Sequence, residues 1–264
     1  MCLIWFSYRN IPGYRLLLAA NRDEFFARPT APLSWRGDIL AGWDEQGGGT
    51  WLGINRLGQL AALTNHRDPS RQRPNPPSRG GIIMDYMHSG QSAAAFIKEL
   101  QQHAQLYNPF NLLLLDSKEM LFYSNADNRV RRVETGVHAL SNRFLDTKWP
   151  KTRRIKELLA PLTLAITPGQ TDPEPFLTAL RDRHQPQESE LPATGVGLEW
   201  ERLLAPVFID SPTYGTRSST LVVIGNDGRI DFYERSYQRD DDAVNTTREK
   251  HVRVNPSHTT RSRA

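Results

Sequence analysis

The chain has 264 residues, of which 38% are hydrophobic and six are tryptophan, so it can bury the core of one large domain. Its single cysteine, Cys2, excludes an intramolecular disulfide framework and a cysteine-rich zinc site, and it fits a reducing compartment such as the cytoplasm. The formal net charge is +4, but no basic helix or ribonucleoprotein motif accompanies it, so nucleic acid is not an expected partner. The apolar run at residues 16–20 is short and preceded by Arg9 and Arg15, so we expect neither an export signal nor a membrane span.

Apolar runs separated by turn residues predict a series of strands, and two blocks of amphipathic sequence predict helices. Strands are expected at residues 2–8, 14–20, 50–55, 59–64, 110–115, 120–124, 137–140, 220–225 and 229–234. Helices are expected at residues 79–88, 92–103, 151–159 and 175–183. Short turns join most consecutive strands, which indicates antiparallel pairing and an α+β fold.

Some strands, such as residues 112–115 and 221–224, are apolar at every position, which indicates burial on both faces. Two stacked sheets with helices outside would provide that burial. We expect residues 1–237 to form a single domain. Residues 238–264 contain few apolar side chains, and we expect them to form a polar, disordered tail.

The position of Cys2 directly after Met1 predicts an N-terminal nucleophile. Methionine aminopeptidase removes Met1 readily when the next side chain is small, which would leave a thiol and a free α-amine on one residue. An α-amine titrates near ~7.7 to 8.0 and a thiol near ~8.5, so the amine can serve as the base for the thiol. The alternative is that Cys2 is a small buried hydrophobic residue at the start of a strand.

Four polar residues, Asn21-Arg22-Asp23-Glu24, follow the second predicted strand. If the first two strands pair as a hairpin, this cluster lies beside Cys2. Asp23 could then accept a hydrogen bond from the α-amine, and Arg22 would favour the thiolate. The alternative is a solvated strand end with a local salt bridge.

Three more polar residues lie at strand ends. Asn65 and Asn142 each end a strand and could donate an amide hydrogen bond to an oxyanion, although each could equally be a turn residue. Arg217 precedes the last hairpin and could bind an anionic group, although it could equally be a surface arginine. His66 and His138 have no partner at metal-ligand spacing, so we expect no metal and no cofactor.

Together these residues form part of an ordered series of motifs that resembles the NRDE family, also called the transport and Golgi organisation 2 family. The motifs are Met1-Cys2, Asn21-Arg22-Asp23-Glu24, Gly48-Gly49-Thr50-Trp51-Leu52-Gly53, Leu63-Thr64-Asn65, Ser78-Arg79-Gly80, Leu140-Ser141-Asn142, Trp149-Pro150-Lys151 and Tyr214-Gly215-Thr216-Arg217-Ser218. The resemblance implies a four-layer α-β-β-α sandwich of the N-terminal nucleophile (Ntn) hydrolase type. The chain is also similar to the penicillin V acylases and bile salt hydrolases, in which an N-terminal cysteine cleaves amides.

The resemblance implies the catalytic residues Cys2, Asp23, Asn65, Asn142 and Arg217, and Asn21, Arg22 and Glu24 are expected to contact substrate. The chain departs from the acylases at Ala20, where they have an arginine.

Two functions follow as alternatives. The protein hydrolyses a carbon–nitrogen amide or thioester bond of a small acylated substrate, or it binds a hydrophobic ligand without catalysis. The second alternative reflects the association of eukaryotic members of the family with secretory-pathway organisation and with haem and lipid homeostasis.

Overall fold

The computed structural model describes residues 2–167, 169–240 and 244–255. The strands within these residues are β1 (Cys2–Tyr8), β2 (Tyr14–Phe25), β3 (Thr30–Arg36), β4 (Ile39–Asp44), β5 (Leu52–Asn55), β6 (Leu60–Asn65), β7 (Phe110–Leu115), β8 (Met120–Ser124), β9 (Arg129–Arg132), β10 (Gly136–Leu140), β11 (Tyr214–Gly225), β12 (Ile230–Arg239) and β13 (Val244–Val254). The helices are α1 (Gly80–Ser89), α2 (Ala93–Leu100), α3 (Pro150–Leu164), α4 (Glu174–Ala179) and α5 (Leu198–Leu203). None of the helices in the described ranges is both long and apolar enough to cross a membrane.

The strands form two antiparallel sheets. The first sheet has the order β10-β1-β2-β11-β12-β13, and the second runs β3-β4-β5-β6-β7-β8-β9. Apolar residues from both sheets, such as Leu18 and Leu113, pack together between them. On the outer faces, α3 and α4 cover the first sheet, while α1 and α2 cover the second. The α+β prediction is therefore confirmed, and the layers follow the α-β-β-α order that the resemblance implies.

Side-chain alternation along β2 assigns its residues to the two faces. Leu16, Leu18 and Ala20 point between the sheets, whereas Leu17 and Ala19 point toward α3 and α4. Because alternate residues of a strand face opposite sides, the polar end of β2 is divided between these two faces as well.

Several elements are absent from the sequence prediction. The elements without a counterpart among the predicted strands and helices are β3, β4, β9 and α5. Every residue of β9 is exposed, so it lacks the apolar pattern that identifies a strand, and β3 contains Pro32 and a register shift at its pairing with β4.

The expectation of a disordered tail after residue 237 is corrected by the structure. β12 continues to Arg239, and residues 244–254 form β13, which pairs with β12 along its whole length. Only Val244 and Val254 of β13 are buried. A polar edge strand needs few apolar residues because one of its faces and one of its edges stay in water. Residues 241–243 and 256–264 of the expected tail lie outside the described residues.

Candidate active site

Cys2 opens β1 and lies directly opposite Arg22 of β2 in the antiparallel register. Residues that face each other across such a pair point to the same side, so both side chains approach the gap between the sheets. Burial raises the pKa of the Cys2 thiol, and the carboxylate of Asp23 adds to that shift. Arg22 and a hydrogen bond from the backbone N–H of Asp23 oppose it. The hairpin predicted from sequence is therefore the element that brings the polar cluster to the cysteine.

A cavity of about 450 Å³ opens beside Cys2. Its volume lies within the range of about 300 to 1,000 Å³ that is usual for small-molecule sites. The residues expected to act in catalysis or substrate binding that line it are Cys2, Arg22, Asp23, Glu24 and Asn65. Asn21, Asn142 and Arg217 are not part of its lining.

Asp23 is fully buried and is held from two sides. Its Oδ1 accepts a hydrogen bond of 2.8 Å from Oγ1 of Thr216, and its Oδ2 lies 3.7 Å from Nζ of Lys151. Lys151 also donates to the carbonyl oxygen of Leu204 at 3.1 Å. Burial raises the pKa of Asp23 and lowers that of Lys151, and each charge opposes the shift of the other. The pair supplies a fixed carboxylate next to the start of β1.

Asn65 and Asn142 occupy different positions relative to the cavity. The side chain of Asn65 lines the cavity, and no described residue forms a hydrogen bond with its amide. Asn142 is buried behind it, and its Nδ2 donates to the carbonyl oxygen of Asn65 at 2.9 Å. Asn142 also accepts at its own carbonyl from the backbone N–H of Arg67 at 2.7 Å. Asn65 can therefore face a substrate, whereas Asn142 positions it.

The first residues after β10 join the two sheets at this end of the molecule. The hydroxyl of Ser141 donates to the carbonyl oxygen of Cys2 at 3.1 Å. Thr64, next to Asn65 at the end of β6, donates to the carbonyl oxygen of Ser141 at 2.7 Å. These bonds fix the ends of β1 and β6 beside each other, so the thiol and the Asn65 amide face one cavity.

Arg22 and Glu24 belong to an ionic network on the cavity lining. Arg22 lies 3.2 Å from Asp44 and 3.9 Å from Glu24. Arg28 lies 2.8 Å from the same Asp44 carboxylate. Burial raises the pKa of Asp44, but Arg28, Gly47 and Arg22 outweigh it and leave that pKa below its usual range. Arg22 and Glu24 therefore line the cavity, and both are paired with charged groups of the protein.

Asn21 does not reach the cavity. Its Nδ2 donates to the carbonyl oxygens of Leu180 and Val207, both at 2.8 Å, and its Oδ1 accepts from Ser219 at 2.6 Å. Being one residue from Arg22 on a strand, it points to the helix-covered face. Its side chain joins β2 and β11 to the helical layer rather than contacting substrate.

Arg217 also lies away from Cys2. Its Nη1 donates to the carbonyl oxygens of Phe25, Phe26 and Arg28, at 2.9, 3.2 and 2.9 Å. The pairing of β11 with β2 shifts register between Thr216 and Ser218, so Arg217 occupies a bulge. The predicted catalytic arginine therefore holds the β2–β3 connection, and its guanidinium has no contact with the Cys2 cavity.

Sequence reasoning missed Lys151, Thr216 and Arg79 as individual site residues. Arg79 lines the cavity at the start of α1, and Lys151 and Thr216 bind Asp23. All three occur in the quoted motifs, which was the available signal. No group of three or more His, Cys, Asp or Glu side chains within the described part of the chain could hold a metal ion.

Comparison with known proteins gives the family. The model of the family Transport and Golgi organisation 2 matches residues 1–239. The Transport and Golgi organization protein 2 homolog of Bos taurus is 36% identical over 260 residues, covering 89% of this chain and 93% of that protein. The homolog of Mus musculus is 34% identical with the same coverage. The C2A mutant of the conjugated bile acid hydrolase from Clostridium perfringens superimposes with a TM-score of 0.48 at 10% identity, covering 97% of this chain and 98% of that one. The chain belongs to the Transport and Golgi organisation 2 family.

Proposed function

We propose that this protein is an N-terminal cysteine hydrolase of the Ntn type that cleaves a carbon–nitrogen amide, or a thioester, of a small acylated substrate. The observation that carries the proposal is that one thiol and one side-chain amide line a single cavity, while a buried carboxyl group lies on the helix-covered face of the strand paired with the cysteine. These groups belong to Cys2, Asp23 and Asn65.

Removal of Met1 would expose the α-amine of Cys2, which takes the thiol proton as the sulfur attacks the acyl carbon. The Nδ2 of Asn65 donates a hydrogen bond to the oxyanion, a contribution worth about 3 kcal/mol in comparable sites. The α-ammonium then returns its proton to the leaving amine or thiol, and a thioester with Cys2 remains. Water attacks that thioester, releases the acid and restores the thiol.

Asp23 acts by orienting the α-amine, and the charge of Lys151 opposes the rise that burial causes in the pKa of that carboxyl group. Ala20, the departure from the acylases, leaves β2 without their arginine at that point, and the guanidinium groups that line the cavity are those of Arg22, Arg28 and Arg79. A reducing, cytoplasmic location suits the free thiol that this chemistry requires.

The burial that raises the pKa of Cys2 favours a second candidate function. A thiol kept protonated is a poor nucleophile, and the same cavity would then bind a hydrophobic or acylated ligand in a trafficking role. The two functions differ in whether Cys2 becomes acylated.

Intact-mass measurement tests this difference. Protein made in cells should lack Met1, and acid quenching early in the reaction with p-nitrophenyl octanoate should trap one octanoyl group at Cys2, the only cysteine in the chain. Cys2→Ala should acquire none, and Asp23→Asn should acylate more slowly at pH 7 under conditions in which it remains folded. Retention of Met1, or equal acylation of Cys2→Ala, would reject the hydrolase and leave the ligand-binding function.

A further inference from the structure

Three carboxylates and three guanidinium groups line the Cys2 cavity, but they do not pair one to one. Each of the carboxylates has a basic partner within 4 Å: Asp23 has Lys151, while Asp44 and Glu24 share Arg22 and Arg28. The remaining charged residue of the lining is Arg79. No carboxylate within the described residues lies within ion-pair distance of its guanidinium.

Arg79 is fixed in place without its charge being neutralised. Its Nη1 donates to the carbonyl oxygen of Pro109 at 3.0 Å, which takes one of its five N–H donors. Burial lowers the pKa of Arg79, and electrostatic attraction to Cys2 and Glu24 opposes that shift, so the guanidinium lies within electrostatic range of the nucleophile. An arginine remains charged at any physiological pH.

The start of α1 lies on the same side of the cavity. Gly49 and Gly80 approach so closely that a Cβ on Gly49 would lie 2.8 Å from the backbone of Gly80. Both glycines line the cavity, and Arg79 is the residue that precedes the ten-residue helix. The partial positive charge of the helix N-terminus therefore adds to that of the guanidinium.

Building on the hydrolase function proposed above, we propose that Arg79 recognises a carboxylate of the substrate, so that the preferred substrates are acylated compounds with a carboxylate close to the scissile bond, such as N-acyl amino acids. One unpaired guanidinium matches one monoanion, and a charge-assisted, forked hydrogen bond is the contact that arginine forms best with a carboxylate. Trp51 and Leu63 provide apolar surface for the acyl chain in the same cavity.

Binding to the Cys2→Ala protein tests this without any need for turnover. N-octanoylglycine and N-octanoylglycinamide differ in one charge, and isothermal titration calorimetry gives their dissociation constants. The carboxylate should bind about 10- to 100-fold more tightly than the amide. Because the Cys2→Ala protein has no thiolate, ion pairing between Arg79 and the Cys2 sulfur cannot affect the two dissociation constants.

Three further variants in the same background locate the effect. Arg79→Gln should make the two ligands bind equally by weakening only the carboxylate, whereas Arg79→Lys should keep part of the preference because the charge remains. Arg56→Gln is the matched control, since Arg56 is 55% exposed and pairs with Asp38 away from the cavity. Unchanged affinity for the amide shows that each variant is folded.

Equal binding of the two ligands to Cys2→Ala, or a preference that persists undiminished in Arg79→Gln, overturns the role of Arg79. That result is independent of Cys2 acylation, which is measured on the protein with its cysteine intact. Failure of acylation together with an Arg79-dependent carboxylate preference would reject the hydrolase and keep the anion specificity of the cavity.

Discussion

The Nζ of Lys151 lies 3.7 Å from Oδ2 of Asp23, and the two side chains expose 2% and 0% of their surface. A pair this deeply buried depends on both partners, because removal of one leaves the other charge in a medium that solvates it poorly. The pair lies directly behind the cysteine, so its charge state is coupled to that of the candidate nucleophile.

We therefore expect Lys151→Met to lower the free energy of unfolding at pH 7 by about 3 to 5 kcal/mol. The double variant Asp23→Asn with Lys151→Met should regain part of that loss, since it contains no unpaired buried charge. Urea denaturation of the two single variants and the double variant gives the coupling energy. Lys156→Met is the control, because Lys156 pairs with Asp146 and both side chains are about one-third exposed. This substitution should lower the free energy of unfolding by less than about 1 kcal/mol. Additive effects of the two substitutions would mean that Asp23 and Lys151 do not form a coupled pair.

Arg217→Ala should weaken the fold rather than the chemistry. The guanidinium binds three carbonyl oxygens of the β2–β3 connection, and their loss should lower the free energy of unfolding by about 2 to 4 kcal/mol. Arg217→Lys should recover little, because an ammonium cannot reproduce the fork of a guanidinium. The rate of Cys2 alkylation by iodoacetamide, measured below the unfolding transition, should stay within about twofold of the parent protein. A large fall in that rate without a loss of stability would show that Arg217 acts in the active site.

The parts of this site that follow from sequence are those set by a local hairpin. Cys2 and Arg22 become opposite neighbours once residues 2–8 pair with the strand that begins at Tyr14, and Asp23 follows Arg22 on the other face of that strand. Because adjacent residues of a strand face opposite sides, the sequence could also have predicted that Asn21 and Arg22 lie on different faces of the sheet.

The remaining features depend on tertiary structure that has no local pattern. Lys151 reaches Asp23 from the first turn of α3, more than a hundred residues further along the chain, and only packing of the helical layer brings them together. The position of Arg217 depends on a β-bulge, and the residue types at 216–218 do not predict one. Strands such as β9 escape detection for a different reason, because an exposed edge strand carries no apolar periodicity.

Glu234 should make stability depend on pH. Its Oε1 accepts a hydrogen bond of 2.7 Å from the backbone N–H of Leu33, and its Oε2 lies so close to Gly42 that a Cβ there would be 2.5 Å away. Burial raises the pKa of this carboxyl from 4.5 to about 7. Between these values the folded protein holds a proton that the unfolded chain has released, so the free energy of unfolding falls as the pH rises, by up to about 3 kcal/mol.

Glu234→Gln should remove this dependence and make the protein more stable than the parent at pH 8. Urea denaturation at pH 5, 6, 7 and 8 gives the free energy of unfolding of both proteins. The contribution of histidines that titrate in the same range cancels in the difference between them. Parallel curves for the parent and Glu234→Gln would show that Glu234 is ionised throughout this range.

The last strand should be required for full stability. β13 pairs with β12 from Ile230 to Arg239, and Val244 packs against Phe208 and Tyr237. A chain truncated after Arg239 loses these contacts and leaves β12 as an unprotected edge, which also favours aggregation. Its melting temperature should fall by about 5 °C or more, since each kcal/mol corresponds to roughly 2 to 4 °C for a domain of this size. A chain truncated after Asn255 keeps all of β13 and is the matched control in differential scanning calorimetry. If both truncated chains melt at the temperature of the full chain, β13 contributes no net stability, and the domain ends at β12.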